Sequence, residues 1–459
     1  MSMFLPIPSC LRKKWEAIPE TQKKVFRNVM WALVGKIVGM LGALFVGVLV
    51  GRYLGPKNYG LMQYVISYVV IFEILSRFGL TNITIRELSR HPEQKNAILG
   101  TCFCLRLFFA LVAYLGMLAS LLIRREDAWT IRMIMVYGTC LLIYPFEIIP
   151  EYFTSIVRNE FVVKSQILRT CIGMSIKLVL LYVKAPLECF ILAATFDFYL
   201  LTGGFIRSYQ RHVGRLRDWT RDFRRVPFLV SESFPVLLSG AAVIIYQRIN
   251  VLMLKNMLDE SSAGYFATAG TFLSVVLFLP TVLVQSISPL LVRVRERNQA
   301  RYELLSMRMI GGVTWIAMFM SIGIALTAQQ LVLFTYGQKF LPAVPVLQIL
   351  IWKTVGQALA TSGAQVLIVE GLQKWAAIKH GIACVVCIIA NWLLIPRYGA
   401  IGSAWATILA IATSVFLGNY IIPSYRHVLR LQVRAVVWGW MDLWEYGMEF
   451  VGKRNRKMA

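Results

Sequence analysis

Twelve stretches of mostly apolar residues, each about twenty long, recur along the chain, and they constrain its fold more than any motif does. They are 29–50, 60–80, 97–123, 131–150, 161–183 and 187–206, then 230–258, 264–284, 307–328, 343–366, 375–394 and 400–421. A helix rising ~1.5 Å per residue needs ~20 apolar residues to cross a ~30 Å hydrocarbon core. No water enters that core, so backbone groups must bond internally, in helices or closed barrels. Hydrophobic residues make up 58% of the 459 and charged residues 15%, against ~45–50% and ~25% in soluble chains. The expected fold is an all-α polytopic membrane protein of about twelve transmembrane helices.

The charges that remain say how the helices thread. Lys and Arg number 48, Asp and Glu 23. Most cations fall in alternate loops: Arg12, Lys13 and Lys14 before the first stretch, Arg86, Arg90 and Lys95 after the second, seven arginines in 207–226, and Arg293 to Arg301 after the eighth. Cytoplasmic loops carry such an excess. Both termini are therefore expected in the cytoplasm. The 207–226 gap follows six stretches and reads as a linker between two pseudo-symmetric six-helix bundles, 29–206 and 227–421, flanked by a tail at 1–28 and another at 422–459. A weak repeat supports the division: LGPKNYG at 54–60 aligns with LDESSAG at 258–264, each joining the first two helices of its half. The basic C-terminal tail carries Trp438, Trp440 and Trp444, which suits an amphipathic helix at the headgroup level. A partial thirteenth span and a partner-binding helix are the alternatives.

An ionisable side chain at bilayer depth costs at least ~2.5–3.5 kcal/mol, which marks it as a functional candidate. The apolar stretches contain Lys36, Glu73, Arg77, Arg106, Lys164, Arg169, Lys177, Asp197, Arg248 and Lys353. Lys164 lies near a helix end and can snorkel. Lys36 and Glu73 are at matching depth, and Glu73 and Arg77 are four apart on one helix face. Asp197 is level with Arg169 and Lys177. Glu73, Arg77 and Asp197 are ion-pair or coupling candidates as much as binding groups. Arg106, Arg248 and Lys353 show no acid at matching depth and are the strongest candidates for an anionic ligand, with Lys177, Arg169 and Lys36 behind them. Arginine suits phosphate because its planar fork donates two hydrogen bonds at once.

Chemistry-bearing motifs are otherwise few. Cys384 and Cys387 form C-x-x-C, but no second pair or histidine set completes a zinc site; Cys102, Cys104, Cys140 and Cys171 also sit in apolar stretches and read as packing residues. No nucleotide-binding loop or nucleophile set occurs. No metal, cofactor, catalytic residue or nucleic-acid partner is expected, and the chain is not read as an enzyme.

Several segments carry a family resemblance. GRYLGPKNYG at 51–60, followed by GLTNITIREL at 79–88, resembles the N-terminal signature of bacterial polysaccharide-repeat flippases of the Wzx type, in the multidrug/oligosaccharidyl-lipid/polysaccharide exporter superfamily. YQRIN at 246–250 is similar to the family's seventh-helix segment, with Asn250 where Asp is frequent; YGQKF at 336–340 and YGAIGSAWA at 398–406 resemble later segments in the same order. The resemblance implies a V-shaped pair of six-helix bundles around a central cavity that works by alternating access. It implies an undecaprenyl-diphosphate-linked oligosaccharide as substrate, in surface polysaccharide (O-antigen or exopolysaccharide) biosynthesis at the bacterial inner membrane. Membrane lipids, a polymerase and glycosyltransferases are the implied partners. A multidrug cation antiporter of the same superfamily is a rival, but its usual acid in the first helix is absent and Lys36 is there instead. A membrane polymerase or glycosyltransferase would need a larger polar loop than any between these helices.

Overall fold

The computed structural model describes residues 20–124 and 126–455, with side chains described at 39, 42, 44–124, 126–373, 375–439 and 441. The described chain is almost wholly helical and contains no strand. The first half comprises α1 (Glu20–Arg77), α2 (Thr81–Arg90), α3 (Lys95–Arg124), α4 (Ala128–Gly138), α5 (Ile148–Ser155), α6 (Glu160–Tyr182) and α7 (Leu187–His212). The second comprises α8 (Val226–Met257), α9 (Glu260–Arg295), α10 (Gln299–Thr335), α11 (Ala343–Leu350), α12 (Lys353–Val369), α13 (Ala376–Ala412) and α14 (Arg426–Asn455). Among the described residues nine helical stretches are long and apolar enough to cross a membrane.

Two of those stretches are hairpins. Gly55 takes φ 71°, ψ 172° inside α1, a conformation open mainly to glycine. Pro56 follows, with its φ already set for a helix start. The two arms then face one another: Val46 and Val50 line a cavity together with Met62 and Ile66. Gly399 (φ 58°) does the same in α13. Its arms are tied by Ser403 Oγ donating to Asn391 Oδ1 at 2.7 Å and by Ser414 Oγ at 3.4 Å from His380 Nδ1. The apolar stretches 29–50 and 60–80, and 375–394 and 400–421, thus occur as paired arms. Helix α6 is not among the nine; Lys164, Arg169 and Lys177 lower its hydropathy.

The two halves share one buried core at the end where Gly55, Leu258 and Gly337 lie, with Val50, Tyr64, Leu254, Ala263, Val332 and Phe340 among its members. At the opposite end, which carries 207–226, the core divides. One part gathers Ile98, Phe153, Phe205 and Leu229, the other Ile310, Leu359, Ile411 and Val428. The halves are joined at the Gly55 end; at the linker end the start of α8 packs on the first half, through Leu229 and an Arg86–Glu232 pair at 3.0 Å, while α10, α12, α13 and α14 share a core of their own. The linker is strapped down: Thr220 N donates to Asn96 O (3.2 Å), Asp222 N to Thr101 Oγ1 (2.9 Å) and Trp219 Nε1 to Tyr209 Oη (3.0 Å).

The seam at the Gly55 end runs through both copies of the repeat. A Cβ on Gly60 would lie 1.8 Å from Glu260 O, and one on Gly264 would lie 2.2 Å from Pro56 O. Positions 56 and 60 align with 260 and 264, so the contact is reciprocal, as a local two-fold relation requires. Backbones meet here because only glycine permits it. Gly60→Ala is expected to lower the melting temperature of the detergent-purified protein, by the ~1–3 kcal/mol of an overpacked contact. Gly323→Ala in α10, where nothing lies within 4 Å, is expected to leave it unchanged or raise it. Equal melting of the two variants would show that the seam is loose.

Helix α14 packs along α10 and α12. Gln432 Nε2 donates to Leu359 O at 2.9 Å, Trp315 Nε1 donates to Ala435 O at 3.1 Å, and Gly311 abuts Gly439. At its base His427 Nε2 lies 2.7 Å from Glu370, a hydrogen bond that raises the imidazole above its usual pKa. Val433, Val437 and Trp438 stay exposed on its other face. Of the tryptophans singled out in the sequence, the side chains of Trp440 and Trp444 lie outside the described residues.

Candidate functional site

Two neighbouring cavities share one lining side chain. The larger, about 550 Å³, is bounded mainly by α8, α9 and α12 and carries Gln247, Arg248, Lys353 and Gln357. The smaller, about 350 Å³, lies between α1, α6 and α7 and carries Arg169, Lys177 and Asp197. Gln63, on the second arm of α1, lines both.

The sequence-based candidates sort into three groups. Arg248, Lys353 and Arg169 are half-buried, line these cavities and form no ion pair among the described residues. Lys177 lines the smaller cavity but its Nζ lies 2.5 Å from Asp197 Oδ2, so the two largely neutralise one another. Gly173 leaves the room for this: a Cβ there would sit 2.2 Å from Asp197 Oδ1. Arg248 and Lys353 thus border the larger cavity and Arg169 the smaller, each without an ion pair among the described residues.

Glu73 and Arg77 form a separate structural set. Arg77 Nη2 is 2.8 Å from Glu73 and 3.0 Å from Glu147, and Tyr144 Oη donates to Glu73 at 2.6 Å. The Lys36 side chain lies outside the described residues, so the expected Lys36–Glu73 pair is untested; Glu73 already has two partners.

Arg106 is a correction. The sequence reading left it unpaired, but its Nη2 bonds both oxygens of Glu151 at 2.8 Å. The pair is nearly shut off from solvent, at 1% and 6% side-chain exposure. Arg106 lines neither cavity. Asn250 is fully buried between α8 and α13 and does not line the cavity either. Its Oδ1 accepts from Asn391 Nδ2 (2.8 Å) and Ser403 Oγ (3.3 Å). An amide and a hydroxyl satisfy it, so no charge is needed there.

Other groups at this site went unnoticed in the sequence. Gln63 is one. Glu126 and Lys255 are two more: they pair at 2.5 Å across the seam, and Tyr64 Oη donates to Glu126 at 2.6 Å. This closes the Gly55 end with a buried ion pair between halves. Tyr59, Tyr336 and Phe340 add an aromatic cluster beside it.

Comparison with known proteins agrees with this architecture. The family model described as polysaccharide biosynthesis protein matches residues 25–295. No curated protein matches the chain. Among solved structures, the lipid II flippase MurJ in an inward closed conformation aligns with TM-score 0.67 at 14% identity, covering 89% of this chain and 91% of that one. A multidrug resistance MATE family transporter aligns in its inward-facing conformation with TM-score 0.61 at 16% identity, covering 86% and 99%. For an outward-facing conformation of a multidrug resistance MATE family transporter the values are 0.59, 14%, 88% and 96%. At these identities the likeness is one of fold.

Proposed function

This chain belongs to the polysaccharide biosynthesis protein family, and from that premise we propose that it is a flippase for a polyprenyl-diphosphate-linked oligosaccharide. The observation that carries the reading is a pair of neighbouring cavities that share Gln63, one with Arg248 and Lys353 on its walls and the other with Arg169, with no acid paired to these three among the described residues. A diphosphate brings about two negative charges into such a space, and charge-assisted bonds to it are strong where water is scarce. The adjacent glutamines offer neutral partners to sugar hydroxyls. Fold likeness to a protein named as a lipid II flippase supports the same reading. An organic cation would meet repulsion here, which argues against a multidrug antiporter. In this reading the chain works as a transporter and not as an enzyme.

We place the twelve crossings as two six-helix bundles, 29–206 and 227–421, with both termini and 207–226 on the cytoplasmic side. The Glu126–Lys255 pair and the Gly60–Gly264 contact then close the periplasmic mouth, and the divided core faces the cytoplasm. Alternating access requires that this seam part while the linker ends close. The product would feed surface polysaccharide assembly in the bacterial inner membrane.

Proteoliposomes test the proposal. Purified protein is reconstituted with polyprenyl-diphosphate oligosaccharide, and a membrane-impermeant glycosidase is added outside. The cleaved fraction is expected to rise from the outer-leaflet share toward completion. Cleavage that stops at the outer-leaflet share, from protein that expels an organic-cation dye, would overturn it.

A further inference from the structure

Helices α6 and α7 run antiparallel, with Ser165 Oγ 3.4 Å from Ser208 Oγ near one end and Lys177 on Asp197 further along. At their linker end a third cavity, about 360 Å³, opens between Phe161 and Lys164 on α6 and Arg207, Ser208, Arg211 and His212 on α7. Lys164, Arg207 and Arg211 are exposed and form no ion pair among the described residues. The nearby Glu160 is engaged by Arg158 at 3.5 Å, and Lys164 Nζ lies 5.8 Å over the Phe161 ring. Three cations converge from two helices on one concavity with no anion in it.

What lies along the same faces is apolar. On α6 the exposed series runs Lys164, Leu168, Cys171; on α7 it runs Phe196, Tyr199, Gly203, Arg207. These positions are three or four apart, so each series lies on one helix face. Leu168 is 55% exposed and Tyr199 47%. Gly203 has nothing within 4 Å of where a Cβ would be, which leaves a shallow groove above the cations. Lys164 and Arg207 sit about one helical turn, ~6–8 Å, inside the helix ends. On the membrane placement proposed above, headgroups lie at that depth and acyl chains above it. Scattered loop cations can simply snorkel into water; a cavity shared by three of them beneath an apolar groove matches the order of groups along a phospholipid.

We propose that this cavity binds the phosphate headgroup of an anionic membrane phospholipid, its acyl chains lying on Leu168, Tyr199 and Gly203. Basic pockets between membrane helices on the cytoplasmic side take such headgroups. The site is separate from the central cavity, so it rests on the membrane placement of α6 and α7 and not on what is transported.

The test uses the full chain in phosphatidylcholine nanodiscs with a minor fraction of phosphatidylglycerol. Native mass spectrometry reads the phosphatidylglycerol retained, and titration with the short-chain lipid in detergent reads affinity. The Arg207→Gln/Arg211→Gln chain is expected to bind about thirtyfold more weakly. Arg207→Lys/Arg211→Lys should stay within a few-fold, since charge returns. Inorganic phosphate alone should neither raise the melting temperature nor displace the lipid. Wild-type affinity in the Gln variant would overturn the proposal. Displacement by inorganic phosphate at comparable concentration would also overturn it, by showing a free-phosphate site. Both arginines are exposed, so folding should survive; if that double variant does not fold, Lys164→Gln alone, expected to weaken binding several-fold, decides in the same way.

Discussion

An Arg248→Ala chain is expected to reach the membrane at normal abundance and export no surface polysaccharide. The two halves of that result have different causes. Abundance is kept because Arg248 is half-buried, lines an open cavity and pairs with no acid; removing it orphans nothing. Export is lost because a diphosphate entering the cavity loses one of the few cations able to meet it. Hydrogen bonds to a charged group contribute ~1.5–3 kcal/mol each, so losing a bidentate pair weakens the bound state a hundredfold or more. Arg248→Lys should recover part of the rate, because charge returns without the planar fork. Lys353→Ala should slow export by a smaller factor. Export is read as surface polysaccharide per cell in a strain lacking the native copy, with membrane abundance measured alongside. Wild-type export from the Ala chain would remove the central cavity from the mechanism.

The helices were legible because lipid leaves the backbone so few options. Both hairpin turns fall between stretches that the apolar pattern separates, and LGPKNYG already holds the glycine and proline that the turn at Gly55 needs. Rotation of each helix about its axis was not legible. Arg106 and Arg248 read alike in the sequence, as single arginines deep in apolar stretches. One meets Glu151, the other faces a cavity. Glu147 and Glu151 stand four apart at the end of the fourth stretch, and that spacing puts two acids on one face; it was the available sign that Arg77 and Arg106 have partners there. The Glu126–Lys255 pair joins residues 129 apart, and no periodicity signals such a contact. The Asn250 knot was hidden for the same reason, since it depends on Asn391 and Ser403 across the α13 hairpin.

Glu151→Ala is expected to remove most of the folded protein, which is the opposite signature to Arg248→Ala. Among the described residues its carboxylate is the only hydrogen-bond partner of the Arg106 guanidinium, whose Nε and Nη1 have none. Breaking a buried pair from one side costs ~3–5 kcal/mol, because the remaining charge is left in a medium that cannot solvate it. That is a large share of the ~5–15 kcal/mol that separates folded from unfolded states. Removing both charges is a different matter. An Arg106→Met/Glu151→Leu chain keeps volume and leaves no ion behind, and such replacements are often neutral. Membrane abundance and the detergent melting temperature should therefore fall sharply in Glu151→Ala and recover in the double variant, with a coupling energy of several kcal/mol across the cycle. If Glu151→Ala folds normally, water reaches Arg106 and the pair is not a structural one. If the double variant folds but exports nothing, Arg106 has a part in transport that its burial does not show.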